Sequence, residues 1–268
     1  MLIKSAARDF AQALGGPGMA PHLVDPIRFA ARVGFPNLDR WQRDVLTTDA
    51  RQVVMNCSRQ LGKSSCVALL ATWTALTTAG ALILLVAPAV RQASELYRKC
   101  RDALGRLGPD APRTRQESAL SLEFANRSRI LVIPAAEATV RGFSAVTLLC
   151  IDEASRVPDP LYFALRPMLA VSQGRIVLLS TPNGASRFFW STFTGDEPDW
   201  LRVQVVAADC PRIPRAWLAA ERARIGHHWY AQEFCGEFVD AQGALYRSSD
   251  IEAAISDELE PLFLPGAA

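Results

Sequence analysis

A chain of 268 residues, half of them hydrophobic, is long and apolar enough to bury a sizeable core, as one large domain or as one domain with a small appendage. Its net charge of +2 does not by itself announce a nucleic-acid partner. The six cysteines (57, 66, 100, 150, 210 and 235) form no C-x-x-C pair and His22, His227 and His228 are not placed for zinc, so the thiols read as small buried hydrophobes in a reducing compartment.

The first 36 residues are rich in Ala, Gly and Pro, with weak helices expected around Ser5–Leu14 and Pro26–Val33 and no apolar core of a signal peptide. Leu38–Leu46 reads as an amphipathic helix with Asn37 as its N-cap. From residue 53 strands and helices alternate. Strands are expected at Val53–Asn56, Ala81–Ala87, Leu120–Phe124, Arg129–Pro134, Thr147–Ile151 and Arg175–Ser180, and helices at Lys63–Ala79, Val90–Gly105, Asp159–Ala170 and Ser186–Thr192. Runs such as Leu82-Ile83-Leu84-Leu85-Val86 have no polar face, so they belong to strands covered on both sides, hence to a mostly parallel sheet. Asn126 marks a hairpin turn. The longest apolar run, Ala79 to Val90, contains Gly80 and Pro88 and is too short to span a bilayer, which predicts a soluble, cytoplasmic protein.

Beyond Trp200 one more strand, Leu201–Val206, leads through Pro211–Pro214 to helices at Arg215–Ile225 and His228–Cys235, which read as a small lid beside the sheet. A strand at Gly236–Asp240, a turn at Gln242-Gly243 and a short acidic helix are expected before a linker-like end. The domain division is therefore a core over 1–200, a lid and last strand over 201–240, and a tail over 241–268.

The chemistry concentrates in three places. Cys57-Ser58-Arg59-Gln60-Leu61-Gly62-Lys63-Ser64 ends in the Gly-Lys-Ser of a phosphate-binding loop and sits between an apolar strand and an apolar helix, the context such a loop requires. Backbone N–H groups and the positive end of the following helix would hold phosphates, Lys63 would neutralise them and the Ser64 hydroxyl would ligate Mg2+. The first glycine of the usual pattern is replaced by Cys57. Second, the apolar strand Thr147-Leu148-Leu149-Cys150-Ile151 ends in Asp152 and Glu153: one acid for the metal, the other to orient or deprotonate an attacking water. Third, Val177-Leu178-Leu179-Ser180-Thr181-Pro182-Asn183-Gly184 ends a strand in two hydroxyls and a turn, where Ser180 or Thr181 could sense a γ-phosphate and couple hydrolysis to movement. Arg91, Arg98, Lys99, Arg101, Arg106, Arg113 and Arg115, followed by Arg127 and Arg129, form a basic run that fits a solvated helix face at least as well as a DNA-tracking patch.

On Ser58-Arg59-Gln60-Leu61-Gly62-Lys63-Ser64, Trp41-Gln42, Val140-Arg141-Gly142, the Asp152-Glu153 strand and Ser180-Thr181-Pro182-Asn183-Gly184, the chain resembles the ATPase domain of phage large terminases, the motors that pack viral DNA. Motif order and spacing agree from about residue 38 to residue 240, and the Arg-Gln-Leu-Gly-Lys loop is the most specific of them. The resemblance implies an α/β P-loop NTPase of the ASCE type, with a mostly parallel central sheet, helices on both faces and a small lid. It implies ATP and Mg2+ as cofactors, double-stranded DNA, a portal protein and a small terminase subunit as partners, a homo-oligomeric ring on the portal, and a bacterial host cytoplasm as the setting. It also implies that Trp41 and Gln42 contact adenine, that Ser58, Arg59, Gln60, Leu61, Gly62, Lys63, Ser64 and Ser65 surround the phosphates, that Ser64 and Asp152 hold the metal, and that Glu153, Lys63 and Arg59 act in hydrolysis. Arg141 would be supplied to a neighbouring subunit's ATP. Large terminases usually continue into a metal-dependent nuclease; Asp250, Glu252, Asp257, Glu258 and Glu260 have no strand context, so no nuclease activity is expected of this chain. A helicase-like DNA-dependent ATPase and a non-catalytic prophage-remnant assembly module are the alternatives.

Overall fold

The computed structural model describes residues 25–135 and 142–239, together with Leu23 and Ala254. The helix expected at Ser5–Leu14, Arg141, the turn at Gln242-Gly243 and the tail acids lie outside the described residues. Two short helices, α1 (Pro26–Arg32) and α2 (Arg40–Thr47), precede β1 (Gln52–Cys57) and α3 (Lys63–Thr77); β2 (Leu82–Ala87) and α4 (Val90–Leu107) follow. Then come β3 (Thr114–Glu117), β4 (Ser121–Phe124), β5 (Arg129–Pro134), β6 (Leu148–Asp152), α5 (Asp159–Leu165), β7 (Arg175–Ser180), α6 (Arg187–Thr194), β8 (Trp200–Val205) and α7 (Arg215–Tyr230).

Among the described residues eight strands join one sheet in the order β3-β4-β5-β2-β6-β7-β1-β8. The ladders from β5 to β8 are all parallel, and β3 and β4 add an antiparallel extension at one edge. Alternation along each parallel strand sends its side chains into two cores. Val53, Met55, Ile83, Leu85, Cys150 and Val177 pack beneath α1 to α4, whereas Val54, Leu84, Val86, Leu149, Ile151 and Leu178 pack beneath α5 and α6. This is why the strands read as unbroken apolar runs. Eleven of the fifteen residues of α3 are buried, as a helix wedged between the sheet and other helices must be.

Several local expectations are corrected. Helix α2 is capped by Asp39, not Asn37: Gln42 at the third helical position returns its side chain to the Asp39 N–H (2.9 Å), closing a capping box that Asn37 has no glutamine to make. The helix expected over Asp159–Ala170 is α-helical only to Leu165 and continues as a 3-10 turn, Arg166–Leu169, because Pro167 has no N–H to continue the ladder. Strand β3 was not expected; Thr-Arg-Gln-Glu is fully exposed and polar, and shows itself only through its pairing with β4. The Asn126 turn is present, with Asn126 accepting from Ser128 N (3.0 Å) and Arg127 in the left-handed region (φ 65). No strand forms over residues 236–239. The two helices expected between 215 and 235 are separated at Gly226, whose φ 78 and ψ 167 no other residue type adopts cheaply. A π-helical turn, Ala231–Cys235, carries the chain back toward β1. Among the described residues no helix is long and apolar enough to cross a membrane.

Candidate active site

The carboxyl ends of the parallel strands set the place of the site, as they do in open α/β sheets generally. Strand β1 ends at Cys57, and Ser58–Leu61 turn the chain into α3, whose N-cap Gly62 is left-handed (φ 84). The free N–H groups of the first turn of α3 therefore face the loop, with Lys63 and Ser64 as its first two residues. Cys57, at the position where the usual motif has glycine, is a ladder residue opposite Val205 and packs in the core. Burial pushes its thiol up to about 12, so it is a spacer and not a nucleophile.

Strand β7 lies between β1 and β6, and the register sets Asn56 beside Ser180 and Asp152 beside Leu179. The two acids thereby meet the loop. The Ser64 hydroxyl donates to Asp152 Oδ2 (2.9 Å), and Lys63 Nζ stands 3.6 Å from Glu153 Oε1. Asp152 is buried, and desolvation, then the neighbouring charge of Glu153, raise its pKa against the opposing pull of Ser64 and Lys63. Glu153 sits in the left-handed region (φ 49, ψ 44), a strained conformation for a residue with a side chain, and its N–H donates to Asp152 Oδ1 (2.9 Å). Ser180 Oγ is 3.4 Å from Glu153 Oε2 and 2.7 Å from Ser155 Oγ, and Ser155 donates to the Thr181 carbonyl (2.9 Å). The Thr181 hydroxyl is buried with no partner among the described residues. Ser64 and Asp152, whose facing groups are both oxygens, suit a hard divalent cation.

The remaining expected residues fall around this centre. Trp41 is half-buried against the core, and Gln42 is buried with its amide nitrogen 3.1 Å from where a Cβ on Gly62 would stand. Leu61 is buried, Gln60 is exposed with φ 63, and Ser65 receives Lys99 Nζ at 3.4 Å. Arg59 ion-pairs with Glu233. The same returning segment meets Ser58, whose hydroxyl donates to the Phe234 carbonyl (2.7 Å), and Asn56, whose amide donates to the Gly236 carbonyl (2.7 Å).

Sequence reasoning missed three participants: Ser155, Glu233 and Arg212, whose guanidinium grips both carboxylate oxygens of Asp39 at 2.7 Å. Only Ser155 carried a local signal, its place two residues after the paired acids. Much of the basic run is occupied on the surface of α4 and the β3–β4 hairpin: Arg98 pairs with Glu95, Arg101 with Glu117 and Arg115 with Glu123, while Arg106 donates to the Val33 carbonyl.

A family model described as terminase large subunit, T4likevirus-type, N-terminal, matches residues 54–253. The large terminase subunit of Thermus virus P23-45 is 24% identical over 236 residues, covering 75% of this chain and 49% of that protein; the chain spans about half the length of the curated relatives it matches. The ATPase domain of the large terminase of Thermus phage P74-26 shares the fold with a TM-score of 0.72 at 22% identity, over 80% of this chain and 99% of that one. The large terminase of a thermophilic bacteriophage in complex with ATP-gamma-S gives a TM-score of 0.62 at 15% identity, over 76% of this chain and 53% of that one.

Proposed function

Because the chain belongs to the family of T4likevirus-type terminase large subunits, in their N-terminal part, we propose that it is an ATP-hydrolysing motor domain that translocates double-stranded viral DNA into a procapsid. The observation that carries this is the convergence of Lys63 and Ser64 at the start of α3 with Glu153 and Asp152 at the end of β6, at 3.6 Å and 2.9 Å. A lysine, a hydroxyl and two acids in that arrangement are the working parts of a phosphate-loop hydrolase. The ATP-gamma-S complex of a relative with this fold supports a nucleoside triphosphate as ligand.

In this reading the first-turn N–H groups of α3 and the Lys63 ammonium hold the triphosphate. Ser64 and Asp152 would hold Mg2+, which when bound neutralises charge on the β- and γ-phosphates. Glu153 orients the attacking water and takes its proton, with Ser180 as the hydroxyl that steadies the carboxylate. Thr181 extends that contact toward the turn beyond β7. Trp41 and Gln42 border the adenine, and Gln60, Leu61 and Ser65 complete the loop. Arg59, which pairs with Glu233, is the loop's arginine for a phosphate. Arg141 is delivered to a neighbouring copy in a ring seated on a portal protein, with a small terminase subunit as a further partner. Residues 201–240 supply the lid and the last strand.

Glu153→Gln tests the assignment, because it keeps the side chain's shape and removes the base. ATP binding should persist while turnover falls about 10²–10⁴-fold, the usual worth of a positioned base. Turnover within a few-fold of the parent would exclude Glu153 as the base.

A further inference from the structure

We propose that Arg212 is a positioning residue that sets the preference for adenine over guanine, by locking the Asp39–Gln42 capping box against the phosphate loop. The inference rests on the proposal that Gln42 faces the adenine. Arg212 lies in Pro211-Arg212-Ile213-Pro214, the bridge from the sheet edge to α7, where two prolines restrict the backbone and Ile213 N–H donates to the Cys210 carbonyl (3.1 Å). From this stiff bridge one fork reaches two elements. It donates to both Asp39 oxygens at 2.7 Å and, through Nη2, to the Leu61 carbonyl of the phosphate loop at 3.3 Å. The Asp39 carboxyl is mostly buried, so this is a stronger tie than an exposed surface pair.

What the tie fixes is the direction of one amide. Gln42 Oε1 accepts from Asp39 N–H at 2.9 Å, which forbids a flip, and the amide nitrogen is left over Gly62. The oxygen keeps a second lone pair. A fixed acceptor beside a fixed donor matches the N6 amine and N7 of adenine. Guanine presents O6 and N7, two acceptors, to the same edge. A glutamine free to turn could offer its NH2 to both; a glutamine held by Asp39 cannot. Selectivity then depends on how firmly Asp39 is held, and lysine in place of Arg212 keeps the charge but loses the fork.

Equilibrium dissociation constants for ATP, GTP and inorganic tripolyphosphate decide it, measured with Mg2+ on the parent, Gln42→Ala and Arg212→Lys, with thermal midpoints confirming that each is folded. The parent should prefer ATP, Gln42→Ala should bring the ATP/GTP ratio close to one, and Arg212→Lys should lower the ratio at least threefold while weakening tripolyphosphate less than ATP. A parent that binds ATP and GTP equally, or a Gln42→Ala that keeps the ratio, overturns the Gln42 reading and this inference with it. A parent selective through Gln42 whose Arg212→Lys variant is equally selective overturns the inference alone. So does an equal loss of ATP and tripolyphosphate, which would make Arg212 a support of the phosphate loop only.

Discussion

Asp152 ends an apolar strand with its side chain buried, and burial together with the charge of Glu153 raises its pKa in the fold. A raised folded-state pKa means that the native chain holds this proton more tightly than the unfolded one. The group's contribution to stability is therefore complete below the unfolded carboxylate's pKa of about 3.9 and is lost as pH rises through the folded value. At neutral pH the metal-free fold bears the cost of a buried charge. Asp152→Asn removes it while leaving Ser64 an acceptor, so the variant in excess chelator should melt higher than the parent at pH 7, by about 2–4 °C for each kcal/mol relieved. The gap should close toward pH 4, and scanning calorimetry at both pH values would refute the argument if it widened there. At this scale the sequence was legible where chemistry is contiguous: Lys63-Ser64 and Asp152-Glu153 announce themselves as adjacent pairs. Arg212 with Asp39 and Arg59 with Glu233 join residues separated by more than 170 positions, and no local pattern pairs such partners.

Elements differ in how much tertiary packing they need, and that governs which were legible. Helix α3 and strands β1, β2, β6 and β7 have apolar interiors with polar residues gathered at their ends, so their boundaries lie within a residue or two of those expected. β3 is an exposed polar strand that exists through its neighbour, and was silent. Helix α7 is the reverse case: its polar surface and the Gly226 break were readable, yet Leu218 is the one residue it buries among those described. At Gly226 nothing among the described residues lies within 4 Å of a would-be Cβ, so against them Gly226→Ala meets no clash and its cost is that of the backbone (φ 78). That cost is about 1–3 kcal/mol. Because α7 makes so little core, the loss should appear as local opening: faster amide exchange across 215–235, with β1, β2, β6 and β7 unchanged. Uniform loss of protection over the sheet would mean that α7 folds as one unit with it.

At the scale of the whole molecule, the sheet order brings β6, β7 and β1 side by side so that acids, hydroxyls and phosphate loop converge at their carboxyl ends, with a core packed on each face of the sheet. Cationic supply there is already partly committed: Lys63 faces Glu153 and Arg59 is paired with Glu233. A phosphoryl group in transfer spreads negative charge over three oxygens, and a guanidinium brought to it from another subunit is worth about 10³–10⁵ in rate. If Arg141 is that group, a lone chain has an incomplete site and a second copy completes it. ATP turnover per subunit should then rise with protein concentration, and Arg141→Ala should abolish the rise while leaving ATP binding intact. Mixing the Arg141→Ala variant with a Glu153→Gln variant sharpens the test. Each is defective alone, but in a mixed assembly the second lends its arginine to the intact base of the first, and turnover should return. A rate per subunit that is flat with concentration, unchanged by Arg141→Ala, would mean that each chain hydrolyses alone, and a ring that passes hydrolysis from subunit to subunit would lose its physical basis.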